Sequence, residues 1–345
     1  MTKTHSVRLT TRDHQEISFN CGEDEHLIEA AEKANITLPS SCLEGNCGAC
    51  HGACKSGDYE LKSHREDALP HEEGGILMCR TFPKSDITVE VPSDLAHITS
   101  GPVAERTSEV VSVEDIGGAV RRLVLRVLPD ANGDMGPQFE PGQFMELEIP
   151  GTDVRRAYSL ANAPNWEGLM EFLIRIQPNG KFSTWVDTQA KAGDTVRIKG
   201  PEGAFVIQTG TLNARRFVAG GTGIAPMFSM LTQMAEFQDS NESRLYFGVN
   251  TEDDLFYLDQ IEALKTQLPN LTVTVCVWKP SENWQGFSGS PVDAFAQDLK
   301  DDIAKGVQPE VYLCGPPGLV DATEETAEKS GLPHDNVFCE RFLPA

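Results

Sequence analysis

The sequence of 345 residues has no long apolar run and few positive charges. No stretch reaches the ~20 apolar residues that a helix needs to cross a bilayer, and the first residues contain no apolar signal core. Lys and Arg number 29 against 52 Asp and Glu, a formal net charge of -23, which opposes binding to nucleic acid phosphates. We therefore expect a cytoplasmic protein of two or three domains that binds neither membranes nor nucleic acids.

Four of the nine cysteines follow a recognisable spacing. Three are spaced C-x4-C-x2-C and a fourth lies downstream, which is the plant-type pattern for the thiolate ligands of a 2Fe-2S cluster. Two glycines inside the pattern permit a sharply bent loop and leave amide groups free to point at cluster sulfurs. The predicted metal ligands are Cys42, Cys47, Cys50 and Cys79.

Zinc, disulfides and a Rieske centre are the alternatives for these cysteines. Zinc favours two matched C-x2-C arms, and only Cys47 and Cys50 form one. Disulfides suit a secreted chain, whereas an odd cysteine count fits a reducing compartment better. A Rieske centre needs two histidines in place of two cysteines. The 2Fe-2S interpretation is favoured over all three.

The N-terminal 98 residues combine the cysteine loop with a β-grasp pattern. Predicted strands over 5–10 and 16–20 precede a helix over 27–34, and a strand over 86–91 closes the unit. Residues 1–98 thus resemble a plant-type ferredoxin. They carry 9 Lys and Arg against 17 Asp and Glu, a net charge of -8. This charge is either a solubilising surface or an acidic face that steers the cluster toward a basic electron acceptor.

Residues 99–211 begin with a plausible linker and are then rich in strand patterns, with one helical interruption near 183–190. The pattern predicts a small antiparallel β-barrel. Predicted strands cover residues 108–113, 120–128, 143–149, 156–160, 169–176, 195–199 and 204–207.

Residues 212–345 alternate between strands and helices, which predicts a parallel sheet covered on both faces. The first predicted helix begins near Ile224, and the others cover 254–266, 292–303 and 319–329. The expected fold is therefore multidomain: an α+β β-grasp, an antiparallel barrel and an α/β parallel-sheet domain.

A short motif, Arg156-Ala157-Tyr158-Ser159, ends a predicted barrel strand. Alternation along the strand places Arg156 and Tyr158 on one face and Ser159 on the other. Taken alone, an arginine and a tyrosine on a strand are usually rim residues. Together with residues 141–144 before it and 179–183 after it, the motif resembles the ferredoxin-NADP reductase superfamily.

The resemblance implies a site for FAD. The arginine would bind the pyrophosphate, the tyrosine ring would lie against the isoalloxazine, and the serine hydroxyl would lie near flavin N5. Amides at the start of the helix that follows would hold phosphates. The implied FAD residues are Arg156, Ala157, Tyr158, Ser159, Ile174, Gly180, Lys181, Phe182 and Ser183.

Two further motifs indicate a pyridine-nucleotide site. The first is a glycine turn between a strand and a helix, which suits a phosphate, although Pro226 occupies the place of the third glycine of the usual fingerprint. The second ends a later strand, so both should meet at the carboxyl edge of one sheet. A purely structural turn is the alternative. The motif residues are Gly220, Gly221, Thr222 and Gly223, and then Cys314, Gly315, Pro316 and Pro317.

The resemblance places Cys314 beside the nicotinamide, although read alone it is a buried thiol. It also implies that Phe342 occupies the space that the nicotinamide needs, whereas the alternative is that Phe338 and Phe342 only close the sheet. Asn250, Glu252 and two following aspartates lie where NADPH-dependent relatives supply arginine for the 2′-phosphate. Carboxylates would repel that phosphate, so we predict NADH.

The order of the three domains resembles the reductase components of bacterial multicomponent oxygenases, in particular those of soluble methane, alkane and alkene monooxygenases. The likeness implies transfer of hydride from NADH to FAD, and then of single electrons through the 2Fe-2S cluster to a diiron hydroxylase. Leu43 departs from the arginine that such relatives often carry there. Segments that carry the likeness are residues 79–84, 139–145, 149–154 and 246–252.

Three other functions remain open at this point. A Rieske aromatic-ring dioxygenase reductase has the same three modules. A general NADH:ferredoxin-type reductase would serve many carriers, and a non-enzymatic redox sensor would bind nucleotide without turnover.

Overall fold

A computed structural model describes residues 3–40, 43–45, 48–70, 73–95, 98–101, 103–136 and 138–342. The chain forms two compact units, residues 1–104 with 202–204, and residues 105–201 with 205–345. None of the helices in the described ranges is long and apolar enough to cross a bilayer.

The first unit is a small mixed sheet covered by one helix. Its elements are β1 (Thr4–Thr10), β2 (Glu16–Gly22), α1 (Leu27–Lys33), β3 (Ile36–Thr37), β4 (His51–Ser56), β5 (Tyr59–Leu61), β6 (Gly75–Leu77), β7 (Thr81–Pro83), β8 (Ile87–Glu90) and β9 (Thr99–Ser100). The main sheet has the order β2-β1-β8-β4-β6, with β1 antiparallel to β2 and parallel to β8. The apolar positions of α1 that recur at helical spacing are buried, as the sequence pattern predicts. This is the expected β-grasp arrangement.

The second unit begins with a six-stranded antiparallel barrel. Its elements are β10 (Glu105–Asp115), β11 (Val120–Val127), β12 (Phe144–Glu148), β13 (Arg155–Ser159), β14 (Leu169–Arg175), α2 (Lys181–Thr188) and β15 (Thr195–Glu202). The strand order is β13-β12-β15-β10-β11-β14, and a bridge from Leu160 to Phe172 joins the two ends of the order. The barrel prediction is confirmed.

The prediction of a strand over residues 204–207 is wrong. Phe205 and Val206 are buried there, but no neighbouring strand pairs with them. The segment packs instead against Gly142, where a Cβ atom would lie 1.9 Å from the Phe205 carbonyl oxygen. Tertiary packing therefore buries an apolar run that looks like a strand in the sequence.

The rest of the second unit is a parallel sheet with helices on both faces. Its elements are β16 (Arg215–Gly220), α3 (Ile224–Glu236), β17 (Ser243–Val249), α4 (Leu258–Gln267), β18 (Leu271–Val277), β19 (Phe287–Ser288), α5 (Pro291–Ala304), β20 (Glu310–Gly315), α6 (Pro317–Lys329) and β21 (Val337–Arg341). The order β19-β18-β17-β16-β20-β21 is parallel throughout, and each face has its own apolar core.

Helix α4 begins four residues later than the sequence pattern predicts. Residues Glu252–Asp254 form a separate 3₁₀ turn, and Tyr257 has a left-handed backbone with φ of 65°. A left-handed residue interrupts a right-handed helix, so the acidic segment belongs to a loop at the carboxyl edge of the sheet.

Candidate functional site

The two nucleotide motifs predicted from the sequence meet at the centre of the parallel sheet. Strands β16 and β20 are neighbours, and the strand order reverses between them, which makes this edge the topological switch point where such sheets bind ligands. A Cβ atom on Gly223 would lie 2.2 Å from the Cys314 carbonyl oxygen. A Cβ atom on Gly315 would lie 3.2 Å from the Gly220 nitrogen. Glycine is therefore required where the two turns touch.

The turn after β16 is shaped to receive a phosphate. Gly221 has φ of 54°, and the turn leads directly into α3, whose first N–H groups have no partner within the helix. Pro226 lies in the first turn of α3, where a missing N–H costs little. The Arg175 guanidinium is 3.8 Å from the position of a Cβ on Gly221, so a cation lies beside the turn. The sequence had not singled out Arg175.

A carboxyl group joins the barrel to this edge of the sheet. Ser159, at the end of β13, donates a hydrogen bond of 2.8 Å from its Oγ to Glu340 Oε2. The same oxygen is 3.9 Å from the Cys314 Sγ atom, because β21 pairs with β20 so that Glu340 lies opposite Cys314. Ser159 and Cys314 are buried. The two residues predicted to lie near the reacting rings therefore share one carboxyl partner.

No pattern in the sequence indicates Glu340 as a site residue. Its position beside Cys314 follows from the register of two strands, which composition and spacing do not reveal. Burial raises the pKa of Glu340 to about 7, although hydrogen bonds from Ser159 and Cys314 act in the opposite direction. Burial also raises the pKa of Cys314 well above its usual value, so its thiol stays neutral. Glu340 thus changes charge near neutral pH, whereas Cys314 does not.

Phe342 follows β21 and lies next to the second motif. Its backbone N–H donates to the Gly315 carbonyl at 2.8 Å, and its side chain packs against the core cluster that contains Cys314. Phe338 instead stacks on Tyr312, with ring centroids 5.0 Å apart. Phe338 therefore closes the sheet, while Phe342 is placed beside the nucleotide motif.

The barrel side offers a cation, a ring and a helix start. Among the described residues, Arg156 has no carboxylate partner and donates from Nη1 to the Arg155 carbonyl at 2.7 Å. The Tyr158 ring lies 5.0 Å from that of Phe182 in α2, centroid to centroid. Helix α2 begins at Lys181, directly after Gly180. A cation without an acidic partner and free helix amides fit the phosphates of FAD.

Two other predicted FAD residues have internal roles. The Ser183 Oγ accepts from the Gln177 N–H at 3.1 Å and donates to the Gly180 carbonyl, which fixes the turn before α2. Ile174 lies in the barrel core with no exposed surface, so nothing in the structure offers it to a cofactor.

The acidic loop after β17 is partly neutralised. Asp254 accepts from Thr251 and pairs with Arg175 of the barrel at 3.2 Å. Glu252 Oε1 accepts from the Ser281 N–H at 2.7 Å, and hydrogen bonding from Ser281 lowers the pKa of Glu252. Glu252 is therefore ionised and held in place, and it is the stronger candidate to repel a 2′-phosphate.

The structure describes two of the four predicted cluster ligands, Cys50 and Cys79. Cys42 and Cys47 lie outside the described residues. Cys50 and Cys79 are buried in the first unit, and the Met78 N–H donates to the Cys50 carbonyl at 2.9 Å, which keeps these two positions adjacent.

The two glycines of the cysteine loop, Gly45 and Gly48, have φ of 74° and 75°. Both values are left-handed, as the sharply bent loop requires. Three cysteines on such a loop, with a fourth further along the chain, fit the ligand set of a 2Fe-2S cluster.

Comparison with known proteins identifies the family. Three family models match: a 2Fe-2S iron-sulfur cluster binding domain over residues 10–84, an oxidoreductase FAD-binding domain over 107–207 and an oxidoreductase NAD-binding domain over 217–325. The reductase component of propane 2-monooxygenase from Rhodococcus jostii is 34% identical, over 95% of this chain and 89% of the relative. This chain belongs to the oxygenase reductase components of the ferredoxin-NADP reductase superfamily.

Relatives of this reductase are named for more than one kind of oxygenase. Methane monooxygenase component C from Methylosinus trichosporium is 36% identical, over 82% of this chain and 83% of the relative. The electron transfer component of anthranilate 1,2-dioxygenase from Acinetobacter baylyi is 33% identical, over 98% and 97%. Among solved structures, an Amycolatopsis cytochrome P450 reductase has a TM-score of 0.74 and 28% identity, over 98% of this chain and 99% of that one.

The family establishes the cofactors and the overall reaction of the reductase. The reductase uses NADH, FAD and a 2Fe-2S cluster to supply electrons to an oxygenase. The predicted family, fold class, enzyme class and cofactors are therefore confirmed. Some relatives are named for monooxygenases and others for dioxygenases, so membership of the family does not specify the kind of oxygenase.

Proposed function

We propose that this reductase works in the cytoplasm and delivers electrons to the hydroxylase of a multicomponent monooxygenase that has a carboxylate-bridged diiron centre. The relatives named for propane and methane monooxygenases, at 34% and 36% identity, support this partner. We place electron entry from NADH at the switch point of the parallel sheet. The observation that supports this location is that Ser159 and Cys314 both contact Glu340 there.

Each side of this site would have one task. Arg156 and the amides at the start of α2 would bind the FAD phosphates, and Tyr158 would pack against its ring system. The glycine turn from Gly220 to Gly223, with Arg175 beside it, would bind the NADH pyrophosphate. Cys314 and the following Gly-Pro-Pro would position the nicotinamide. Bound FAD supplies the chemistry that accepts two electrons together and releases them one at a time.

Ser159 and Glu340 would move a proton. The Ser159 hydroxyl donates to the Glu340 carboxylate, 2.8 Å away, so this pair would relay a proton to Glu340 when FAD is bound beside it. Cys314 stays neutral and buried, so its thiol fills space and orients a ring without acting as a nucleophile. The site is thus built for alignment and proton movement.

Cys42, Cys47, Cys50 and Cys79 would hold the 2Fe-2S cluster, which would supply a one-electron exit from the reductase. The two halves of the path can be separated by a pair of variants assayed without oxygen. Cys79→Ser should retain flavin bleaching by NADH but lose the electron paramagnetic resonance signal of a reduced cluster. Ser159→Ala should retain the cluster but bleach its flavin more slowly. Loss of both signals in both variants would contradict the assignment.

A Rieske dioxygenase is the second candidate partner, because the anthranilate 1,2-dioxygenase component covers nearly the whole chain. The test is turnover of the purified reductase with a diiron hydroxylase and with a Rieske oxygenase. We expect substrate-coupled NADH oxidation with the diiron hydroxylase. Coupled turnover only with the Rieske oxygenase would overturn the proposed partner and leave the electron-entry site unaffected.

A further inference from the structure

Arg80 is a cation beside the cysteine loop of the first unit. It directly follows Cys79, the fourth predicted cluster ligand, in a 3₁₀ turn over Met78–Arg80. A Cβ atom on Gly45, inside the loop that carries the other three cysteines, would lie 2.6 Å from the Arg80 Cγ and 3.2 Å from its Cδ. The stem of Arg80 therefore packs against the cysteine loop from the side of the fourth ligand.

The charge of Arg80 is held in place and is not neutralised. Its Nε donates to the Ser63 carbonyl at 2.8 Å, and the Lys62 N–H donates to the Arg80 carbonyl at 2.9 Å. No carboxylate of the described residues forms an ion pair with its guanidinium, which is partly withdrawn from solvent. Most other cations of this unit do have an acidic partner. Those with one are Arg8, Arg12, Lys33, Lys55 and Lys84.

The charge of Arg80 acts on its surroundings within the unit. His26, directly before α1, has a lowered pKa, chiefly because of burial, and the positive charge of Arg80 acts in the same direction. Glu29 and Glu32 of α1 act in the opposite direction. An arginine stays protonated throughout the range in which proteins are folded. A permanent positive charge is therefore fixed next to the position of the cluster.

A cation in this place has a definite effect on an iron-sulfur centre. Reduction adds one electron, and so one negative charge, to a centre that four thiolates already make anionic. The reduction potential of such a centre depends on its charge environment, on hydrogen bonds to its sulfurs and on solvent exposure. Attraction between opposite charges is stronger where the protein excludes water. A fixed cation therefore stabilises the reduced form more than the oxidised form.

We propose that Arg80 raises the reduction potential of the 2Fe-2S cluster through its charge, and so makes the cluster a better acceptor of single electrons from reduced FAD. This inference rests on the assignment of Cys79 as a cluster ligand in the proposed function. The alternative is that Arg80 only braces the loop, through its stem and its hydrogen bond to Ser63. A brace would change the stability of the loop and leave the potential where it is.

The test is a series of variants that changes the charge at residue 80. Arg80→Lys retains the charge but loses the Nε donor, Arg80→Gln removes the charge, and Arg80→Glu reverses it. Arg8→Gln is the matched control, since that exposed arginine pairs with Glu16 on the hairpin of β1 and β2. The measurement is the midpoint potential of the cluster in the full-length protein with its iron, sulfide and FAD verified. A dye-mediated reductive titration, followed by the electron paramagnetic resonance of the reduced cluster, gives this potential.

The midpoint potential should follow the charge at residue 80. Arg80→Gln should make reduction of the cluster about tenfold or more less favourable, which is about 59 mV for a one-electron couple. Arg80→Glu should lower the potential further. Arg80→Lys and Arg8→Gln should stay close to the wild-type value, although Arg80→Lys loses the hydrogen bond to Ser63.

Each contrary result has a separate meaning. A wild-type potential in Arg80→Gln would overturn the proposal, and so would equal changes in Arg80→Lys and Arg80→Gln, because the brace would then be responsible. Loss of the cluster from Arg80→Gln and Arg80→Glu but not from Arg80→Lys would support it, since even the oxidised cluster would need the charge. Loss from Arg80→Lys as well would overturn it. Absence of the resonance from fully loaded wild type would instead refute the proposed ligand set.

Discussion

The protonation state of Glu340 is set by its surroundings, because burial raises its pKa to about 7. A carboxyl with a pKa of about 7 is neutral in mildly acidic solution and ionised in mildly basic solution. Only the ionised form can accept a proton from Ser159. Removal of a proton from the flavin edge should therefore become slower as the pH falls below about 7.

The first prediction concerns Glu340→Gln. The amide cannot accept the proton, so kcat should fall about 100-fold or more, and its dependence on pH near 7 should disappear. Glu325→Gln is the control, since that exposed carboxylate pairs with Lys329 on the surface of α6, away from Glu340. The measurement is kcat for NADH oxidation between pH 5.5 and 9. A wild-type pH profile in Glu340→Gln would contradict the proton path.

The second prediction concerns Gly223→Ala. A Cβ there would lie 2.2 Å from the Cys314 carbonyl, so the two motif turns must move apart. We expect a loss of about 1–3 kcal/mol in unfolding free energy and a higher KM for NADH. Gly318→Ala, where no atom lies within 4 Å of the new Cβ, should be neutral or stabilising. Denaturant unfolding measures the unfolding free energy, and steady-state kinetics measure the KM for NADH. Equal values for the two variants would contradict the close approach of the two turns.

At the scale of elements, a buried ion pair joins β16 to α5. Arg216 donates from Nε and Nη2 to the Asp302 carboxylate at 2.8 and 2.9 Å, and both side chains are almost completely buried. An ion pair of this kind contributes little relative to a well-packed apolar pair. Loss of one partner is costly because it leaves a buried charge without compensation.

The third prediction follows from this pair. Arg216→Met should lower the unfolding free energy by about 3–5 kcal/mol, whereas Arg216→Met combined with Asp302→Leu should recover much of the loss. Lys265→Met, which breaks an exposed pair with Glu262, should change it by less than about 1 kcal/mol. Urea denaturation measures the unfolding free energy of each of the three variants. Equal effects of the buried and exposed substitutions would contradict this account.

The elements were largely predictable because their signals are local. The period of the apolar residues in α1, α5 and α6 and the alternation in the barrel strands were enough to locate them. The late start of α4 was not predictable, since it depends on the left-handed backbone of Tyr257. The false strand at 204–207 and the missed Glu340 have a common cause: both depend on contacts between segments that are distant in the chain.

At the scale of the whole molecule, the chain carries a large excess of negative charge. The net charge of -23 includes a net -8 in residues 1–98, the segment that carries the cluster cysteines. An acidic surface attracts a basic patch on an acceptor, and dissolved ions screen that attraction over about 10 Å at 0.1 M salt.

The fourth prediction concerns ionic strength. Electron transfer from the reductase to its oxygenase should slow as salt rises from 0.02 to about 0.5 M, because steering is lost. Flavin bleaching by NADH, measured in the same buffers without oxygenase, provides the control and should change less. A transfer rate that is indifferent to salt would assign the negative charge to solubility alone.

The central claim is that electrons enter in pairs from NADH at the flavin and leave singly through the cluster. Anaerobic titration with NADH, followed by absorbance and by electron paramagnetic resonance, tests it most directly. We predict flavin bleaching, the resonance of a reduced 2Fe-2S cluster, and complete reduction near about 1.5 equivalents of NADH, since the two centres together accept three electrons. Bleaching without a cluster signal, in protein with its full iron and sulfide, would contradict the claim.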